Sequence, residues 1–189
     1  MDAIVSVTRD WAIGNRGRLL VRNKADMRRF ATLTQGCAIL MGRATFESLP
    51  KGPLKGRRNI VVSHERGYVR DGFPREGSKG SAGYEVYVTP GDALVALGDR
   101  DAARAWLIGG ESLYRALLPR CERVLVTKSD VVVPADAFFP NLDEDPSWQL
   151  VERSFGGVTD GGIAFEYVTY AKKCDDAGVL PIACQPRTP

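Results

Sequence analysis

One histidine, four cysteines and three methionines are all that 189 residues offer in soft or imidazole ligands. The cysteines, Cys37, Cys121, Cys174 and Cys184, stand far apart with no CxxC spacing. That pattern supports neither a zinc site nor a disulfide framework, and reduced thiols are the reading to expect. His64 has no serine, cysteine or aspartate arrayed around it in the motif pattern, so a strand-end or surface place suits it better than acid–base work. No apolar run is long enough to span a bilayer, and charged residues, Asp2 among them, interrupt the start before a signal-peptide core could form. A cytoplasmic protein without membrane attachment is the expectation. Charge of one sign is also scarce: 26 Lys and Arg against 23 Asp and Glu leave +3. The positives are scattered without an aromatic-rich stripe, which speaks against nucleic acid and leaves room for a small anionic ligand. Neither a GxGxxG fingerprint nor a GK[ST] phosphate loop occurs, and no internal repeat shows itself.

What is present is ordinary globular material, 44% apolar and 26% charged, at a length that suits one domain. Eight short apolar runs read as strands: Ala3–Thr8, Cys37–Met41, Asn59–Ser63, Glu85–Val88, Ala105–Ile108, Val124–Lys128, Trp148–Ser154 and Phe165–Lys172. Several are continuous Ile/Val/Leu runs, the mark of parallel strands buried on both faces, whereas the last two alternate and suggest an antiparallel C-terminal pair. Helix patterns lie between them at Ala25–Thr34, Thr45–Ser48, Asp92–Leu97 and Ser112–Leu118, the last stopping before Pro119. The implied fold is α/β: a three-layer arrangement around a mostly parallel central eight-stranded sheet. The Gly/Ser-rich stretch 75–83 reads as a loop, and the proline-bearing tail 174–189 as a loosely held appendage to a domain spanning 1–173. No apolar surface stripe asks for a partner, so a monomer is expected.

Three stretches can carry chemistry. In Asn23-Lys24-Ala25-Asp26-Met27-Arg28-Arg29-Phe30, helical spacing puts Asp26 on one side with Met27, Phe30 and Leu33, pointing inward. An acid among apolar groups is costly unless a donor or cation meets it. The plainer reading has Asn23 as N-cap with Asp26 in the first turn, where a carboxylate gains about 0.3–1 kcal/mol from the helix dipole. Both readings stand on the residues alone. Met41-Gly42-Arg43-Ala44-Thr45 runs from a buried strand through glycine into a helix, and Trp106-Leu107-Ile108-Gly109-Gly110-Glu111-Ser112 does the same. Each turn suits a phosphate or a flat ligand, and each is equally good as a tight structural turn. Two of them at the ends of strands in one sheet fit a dinucleotide better than either does alone.

Taken together, the motifs resemble the dihydrofolate reductase family. The resemblance runs through Asp10-Trp11-Ala12-Ile13-Gly14, Asp26 with Phe30, Met41 to Ser48, Leu54-Lys55-Gly56-Arg57-Arg58-Asn59-Ile60, Ile108-Gly109-Gly110 with Tyr114, and Thr127 followed by Asp136 and Phe138-Phe139-Pro140. It covers the chain from Ala3 to Lys173 and implies an oxidoreductase that passes a hydride from NADPH to 7,8-dihydrofolate. By resemblance, Asp26 is the carboxylate that grips the pterin and promotes protonation, with Thr127 as its hydrogen-bond partner. Ile4, Val5, Met27, Phe30, Leu49 and Ile108 would wall the substrate, and Arg57 would take the glutamate carboxylate. For the cofactor, the resemblance implies Ser6, Val7, Ile13, Gly14 and Ile108 at the nicotinamide, under a loop of Arg16, Gly17, Arg18 and Leu19. Gly42, Arg43, Ala44 and Thr45 would hold one side of the phosphates and Gly109, Gly110, Glu111, Ser112, Leu113 and Tyr114 the other, across a cis Gly109–Gly110 bond. Val62, Ser63 and His64 would lie near the adenosine 2′-phosphate.

The chain departs from many bacterial relatives in carrying Leu20-Val21 where they have Pro-Trp, Ala44 where a basic residue or histidine is frequent, and Glu111 in place of a third glycine. Arg43, helped by Arg66, is left as the clearest cation for a 2′-phosphate. Two rivals share the pattern in part. A reductase of riboflavin biosynthesis has the same fold and cofactor but no use for Asp26 with Arg57, and a silent binding paralogue would hold both ligands without turnover.

Overall fold

The computed structural model describes residues 1–73 and 83–173. The expected tail 174–189, with Cys174 and Cys184, and all of the 75–83 loop except Gly83 lie outside the described residues. In chain order the elements are β1 (Asp2–Thr8), β2 (Ala12–Gly14), α1 (Lys24–Thr34), β3 (Ala38–Gly42), α2 (Arg43–Ser48), β4 (Arg58–Val62), β5 (Tyr84–Tyr87), α3 (Pro90–Ala102), β6 (Ala105–Leu107), α4 (Glu111–Leu117), β7 (Arg123–Ser129), β8 (Ala137–Phe138), β9 (Trp148–Val158) and β10 (Ala164–Lys172). All eight expected strands form one sheet in the order β5-β4-β3-β6-β1-β7-β10-β9. The pairings from β5 through β7 are parallel, and β10 runs antiparallel to both its neighbours.

The sequence pattern missed the ribbon of β2 and β8, which pair in an irregular antiparallel register, Ala12 opposite Phe138 and Gly14 opposite Ala137. Strands of two or three residues have no periodicity to detect. Two helix ends also differ. Helix α3 runs to Ala102, but Gly98 adopts φ 65°, ψ 164°, so its first segment does close at Leu97. The fourth helix closes at Leu117, before Pro119 and one residue short of the expected Leu118; Pro119 sits inside a following 3₁₀ turn, Leu118–Arg120, at a first-turn position where its missing N–H costs no hydrogen bond.

The sheet separates two apolar layers, because successive strand residues face opposite ways. On one side Val5, Val7, Leu40, Val124 and Val126 pack with Ala93 and Leu97 of α3 and Leu113, Tyr114 and Leu117 of α4. On the other, Ile4, Ile39, Met41, Val61 and Trp106 pack with Phe46 of α2, and Phe30 and Leu33 of α1 close over them. Each fully buried aliphatic side chain of this kind is worth about 1.5–3 kcal/mol.

The expectation of no apolar surface stripe does not hold at β9. This edge strand leaves Leu150, Val151, Phe155 and Val158 exposed. It extends four residues beyond the expected Ser154, and among the described residues β10 is its one neighbouring strand. Among the described residues, no helix is long and apolar enough to cross a membrane.

Candidate active site

Asn23 caps α1: its side-chain oxygen accepts from the backbone N–H groups of Ala25 (3.0 Å) and Asp26 (3.1 Å). With the cap supplied by Asn23, the carboxylate of Asp26 turns toward the sheet. There the hydroxyl of Thr127, on β7 and fully buried, donates to Asp26 Oδ1 at 2.5 Å across 101 residues of sequence. Burial pushes the Asp26 carboxyl above its usual range; the Thr127 hydrogen bond and the charge of Arg29 act in the opposite direction. The result is an acid whose proton affinity is raised without the group being sealed away.

The apolar wall forms around this acid in part. Ile4, Phe30, Leu49 and Ile108 join one cluster, together with Leu33 and Leu54. Met27 and Val5 do not join it. Met27 is 57% exposed, because the stripe that faces the sheet follows positions 26, 30 and 33, and position 27 lies a further 100° around the helix. The side chain of Val5 enters the opposite layer, since it follows Ile4 on the same strand. Arg57 is already positioned: Nε donates to Thr34 Oγ1 (2.8 Å) and Nη2 to the carbonyl of Ala31 (3.1 Å), with its guanidinium 5.9 Å from the centre of the Phe30 ring. The buried Asn59 holds the loop that carries it, accepting from Leu54 N–H and donating to the carbonyls of Leu54 and Arg57.

The two glycine turns meet. β3 and β6 are adjacent, and Gly42 N–H donates to the carbonyl of Gly109 at 2.7 Å. The Gly109–Gly110 peptide bond is cis, in line with the resemblance. Gly109 has φ 120°, and a Cβ there would stand 3.2 Å from Tyr114 Cε2 and 3.4 Å from Thr45 Oγ1, so neither the backbone nor the space admits a side chain. Neither α2 nor α4 receives a side-chain cap, which leaves first-turn N–H groups beside both turns without such a partner. The cradle fits a phosphorylated cofactor lying across the ends of β3 and β6.

Around that cradle the expected contacts divide. Thr45 lies against Gly109 and Gly110, while Ala44, His64 and Ser112 are exposed and Val62 and Ser63 are buried at the end of β4. Arg43 pairs with Glu65 at 2.9 Å, an exposed pair worth about 0–1 kcal/mol and therefore easily exchanged for a phosphate. Leu113 belongs to the core, and Glu111 is engaged by the Phe138 N–H (3.1 Å) and by Arg115 (3.0 Å), so neither side chain is free for a ligand. The Tyr114 hydroxyl, expected on the second side of the phosphates, donates to the carbonyl of Ile4 (2.7 Å), and burial raises its proton affinity. Ser6, Val7 and Ile13 line a narrow cleft with Leu19, Leu20 and Val21, so of the expected loop residues Leu19 reaches it. Arg16, Gly17 and Arg18 are exposed in a tight turn, Gly14 just before it, and Asp136 fixes the turn by accepting from Arg16 N–H at 2.8 Å. Sequence reasoning passed over Arg29 and Glu65: the i,i+3 spacing of Arg29 from Asp26 was the available signal, while its contact with Tyr167 and that of Glu65 with Arg43 come from distant elements.

Comparison with known proteins agrees with this geometry. A family model described as dihydrofolate reductase matches residues 1–172. The dihydrofolate reductase of Neisseria gonorrhoeae is 36% identical over 148 residues, covering 78% of this chain and 83% of that one. Dihydrofolate reductase type 3 of Salmonella typhimurium is 37% identical over 151 residues, covering 79% and 83%. Among solved structures, dihydrofolate reductase from Enterococcus faecalis complexed with NADP(H) and RAB-propyl superimposes with a TM-score of 0.77 at 25% identity, covering 92% of this chain and 96% of that one. An inward carboxylate held by a strand hydroxyl, two abutting glycine turns and a match across 172 residues agree, and the chain belongs to the dihydrofolate reductase family.

Proposed function

We propose that Asp26, held by Thr127, is the carboxylate on which this chain binds dihydrofolate and promotes its protonation. The reaction is the family's, the NADPH-dependent reduction of 7,8-dihydrofolate to 5,6,7,8-tetrahydrofolate. NADPH, when bound, supplies the hydride. The observation that carries the reading is the Thr127–Asp26 hydrogen bond, which fixes a carboxylate of raised proton affinity beside Ile4, Phe30, Leu49 and Ile108. There the carboxylate accepts from the donor face of the pterin, and its negative charge favours the proton that the ring nitrogen gains as the adjacent carbon takes the hydride. Apolar neighbours exclude water and strengthen that pairing.

Arg57 is the residue for the glutamate carboxylate, pre-oriented by Thr34 and Ala31 so that little side-chain freedom is lost on binding. The glycine cradle with Thr45 and Arg43 is the place for the cofactor's phosphates, and Leu19 to Val21 the cover over its reactive end. Two further assignments complete the reading. The chain acts as a monomer, with Glu152 and Arg153 interrupting the apolar residues of β9 and blunting that edge. A cytoplasmic setting fits Cys37 and Cys121, both unpaired thiols.

The test is loss of NADPH absorbance on adding dihydrofolate, run beside NADH, with sedimentation giving the mass of one chain. Turnover faster with NADPH supports the reading; saturable binding of both ligands without turnover replaces it with a silent binding paralogue. Arg57→Ala weakens dihydrofolate about tenfold or more while leaving a pteridine without glutamate almost unaffected; equal losses for both ligands would remove Arg57 from the substrate site.

A further inference from the structure

We propose that Arg29 is a positioning residue of the acid site, a cation stacked on Tyr167 one helical turn from Asp26 that sets the pH at which reduction of dihydrofolate declines. The inference rests on the reading of Asp26 given above. Asp26 and Arg29 are three residues apart on α1, which places them as neighbours on one helix face. Thr127, the partner of Asp26, lies directly opposite Tyr167 in the β7–β10 ladder. The guanidinium carbon of Arg29 stands 4.3 Å from the centre of the Tyr167 ring. Asp26, Thr127, Tyr167 and Arg29 thus gather between one helix and two strands, Asp26 bonded to Thr127 and Arg29 stacked on Tyr167.

Within that group Arg29 Nη1 is buried and, among the described residues, has no hydrogen-bond partner. A buried guanidinium N–H without an acceptor is costly, and the face of Tyr167 compensates it only in part. The remaining compensation is electrostatic: Asp26 from the same helix and Glu152 from β9 favour the charged form of Arg29 against its burial. In return Arg29 favours the ionised form of Asp26, as does the Thr127 hydrogen bond, while burial opposes both. From α4, Tyr114 also feels the charge of Asp26, but its hydroxyl is committed to Ile4. Arg29 is the one cation acting on Asp26 in this group. Reduction needs a proton at the ring nitrogen, which the charge of Asp26 favours and that of Arg29 opposes, so with Arg29 in place activity declines at lower pH than the carboxylate alone would set.

The experiment compares the full chain with Arg29→Met, Arg29→Gln, Arg29→Lys and Asp26→Asn. Two quantities are read: the ¹³C-carboxyl titration of Asp26 in cofactor-free protein, and the pH profile of single-turnover NADPH oxidation with dihydrofolate. In R29M and R29Q the titration moves to higher pH. On the alkaline limb these variants keep about three to ten times more of their plateau rate than the wild type. R29K, which retains the charge, restores both profiles. R29Q keeps hydrogen-bonding capacity and carries the same expectation if R29M folds poorly. Unmoved profiles in the neutral variants, or R29K behaving like R29M, would show that Arg29 serves only to fasten α1 to β10. The two readings separate at Asp26→Asn: wild-type turnover in that variant removes the role of Asp26 itself, whereas its loss together with unmoved R29Q profiles removes Arg29 alone.

Discussion

The acid site and the glycine cradle are built from opposite kinds of material. The cradle is main chain: Gly42 N–H on the Gly109 carbonyl, a positive φ at Gly109, and helix starts without side-chain caps. The acid site is side chain: a carboxylate from α1, a hydroxyl from β7, a ring from β10 and a guanidinium one helical turn away. Main-chain sites tolerate neighbouring substitutions but fail when a Cβ enters, whereas side-chain sites keep their fold and lose chemistry when one atom changes.

The largest effect expected from this difference is at the carboxylate. Asp26→Asn keeps the fold, and it lowers the hydride-transfer rate at neutral pH by about a hundredfold or more, with partial recovery in acid, read as single-turnover NADPH oxidation. At the cradle the loss appears in binding and stability instead. Gly109→Ala lowers NADPH affinity and destabilises the chain by about 2–4 kcal/mol, measured by fluorescence titration and denaturant unfolding, because the new Cβ meets Tyr114 and Thr45 at a φ that alanine avoids. A smaller effect follows from Thr127→Val, which keeps shape in a fully buried place but removes the donor to Asp26. The rate falls by about tenfold, and the Asp26 titration shifts upward, since the lost hydrogen bond favoured the ionised form.

The smallest effect runs the other way and separates stability from activity. Asp26 has a raised proton affinity in the folded chain, so ionising it at neutral pH weakens the fold relative to the unfolded state. Below the unfolded carboxyl range both states are protonated and the penalty is gone. Asp26→Asn therefore melts about 1–3 °C higher than wild type at pH 7, and the gain fades as pH falls from the raised folded value to the ordinary carboxyl range, as a series of thermal scans would show. An unchanged or lower melting temperature at pH 7 would mean that the site is better solvated than its burial implies.

The sequence itself made the eight strands and the two glycine turns legible, because both depend on residue types within a few positions of one another. Continuous Val/Ile/Leu runs such as those of β3 and β4 have few alternatives to buried parallel strands. The glycines of 42 and 109–110 announce tight turns in the same local way. Asp26 was ambiguous, since capping and inward pointing use the same helix start, and the position of Asn23 in space had to decide between them. Met27 and Val5 show the limits of spacing alone: a helix stripe has edges and a strand alternates, so neighbours in sequence part company in the fold.

Local sequence thus determined which segments extend, which coil and where the chain turns, since hydrophobic period and glycine freedom act over a handful of bonds. Tertiary structure alone decided that the Asp26 carboxylate turns inward and meets a strand hydroxyl. Thr127 and Tyr167 come to Asp26 and Arg29 from more than a hundred residues away, through sheet register and helix packing. Proton affinity depends on burial and on charges within a few ångströms in space, and no separation along the chain encodes those distances.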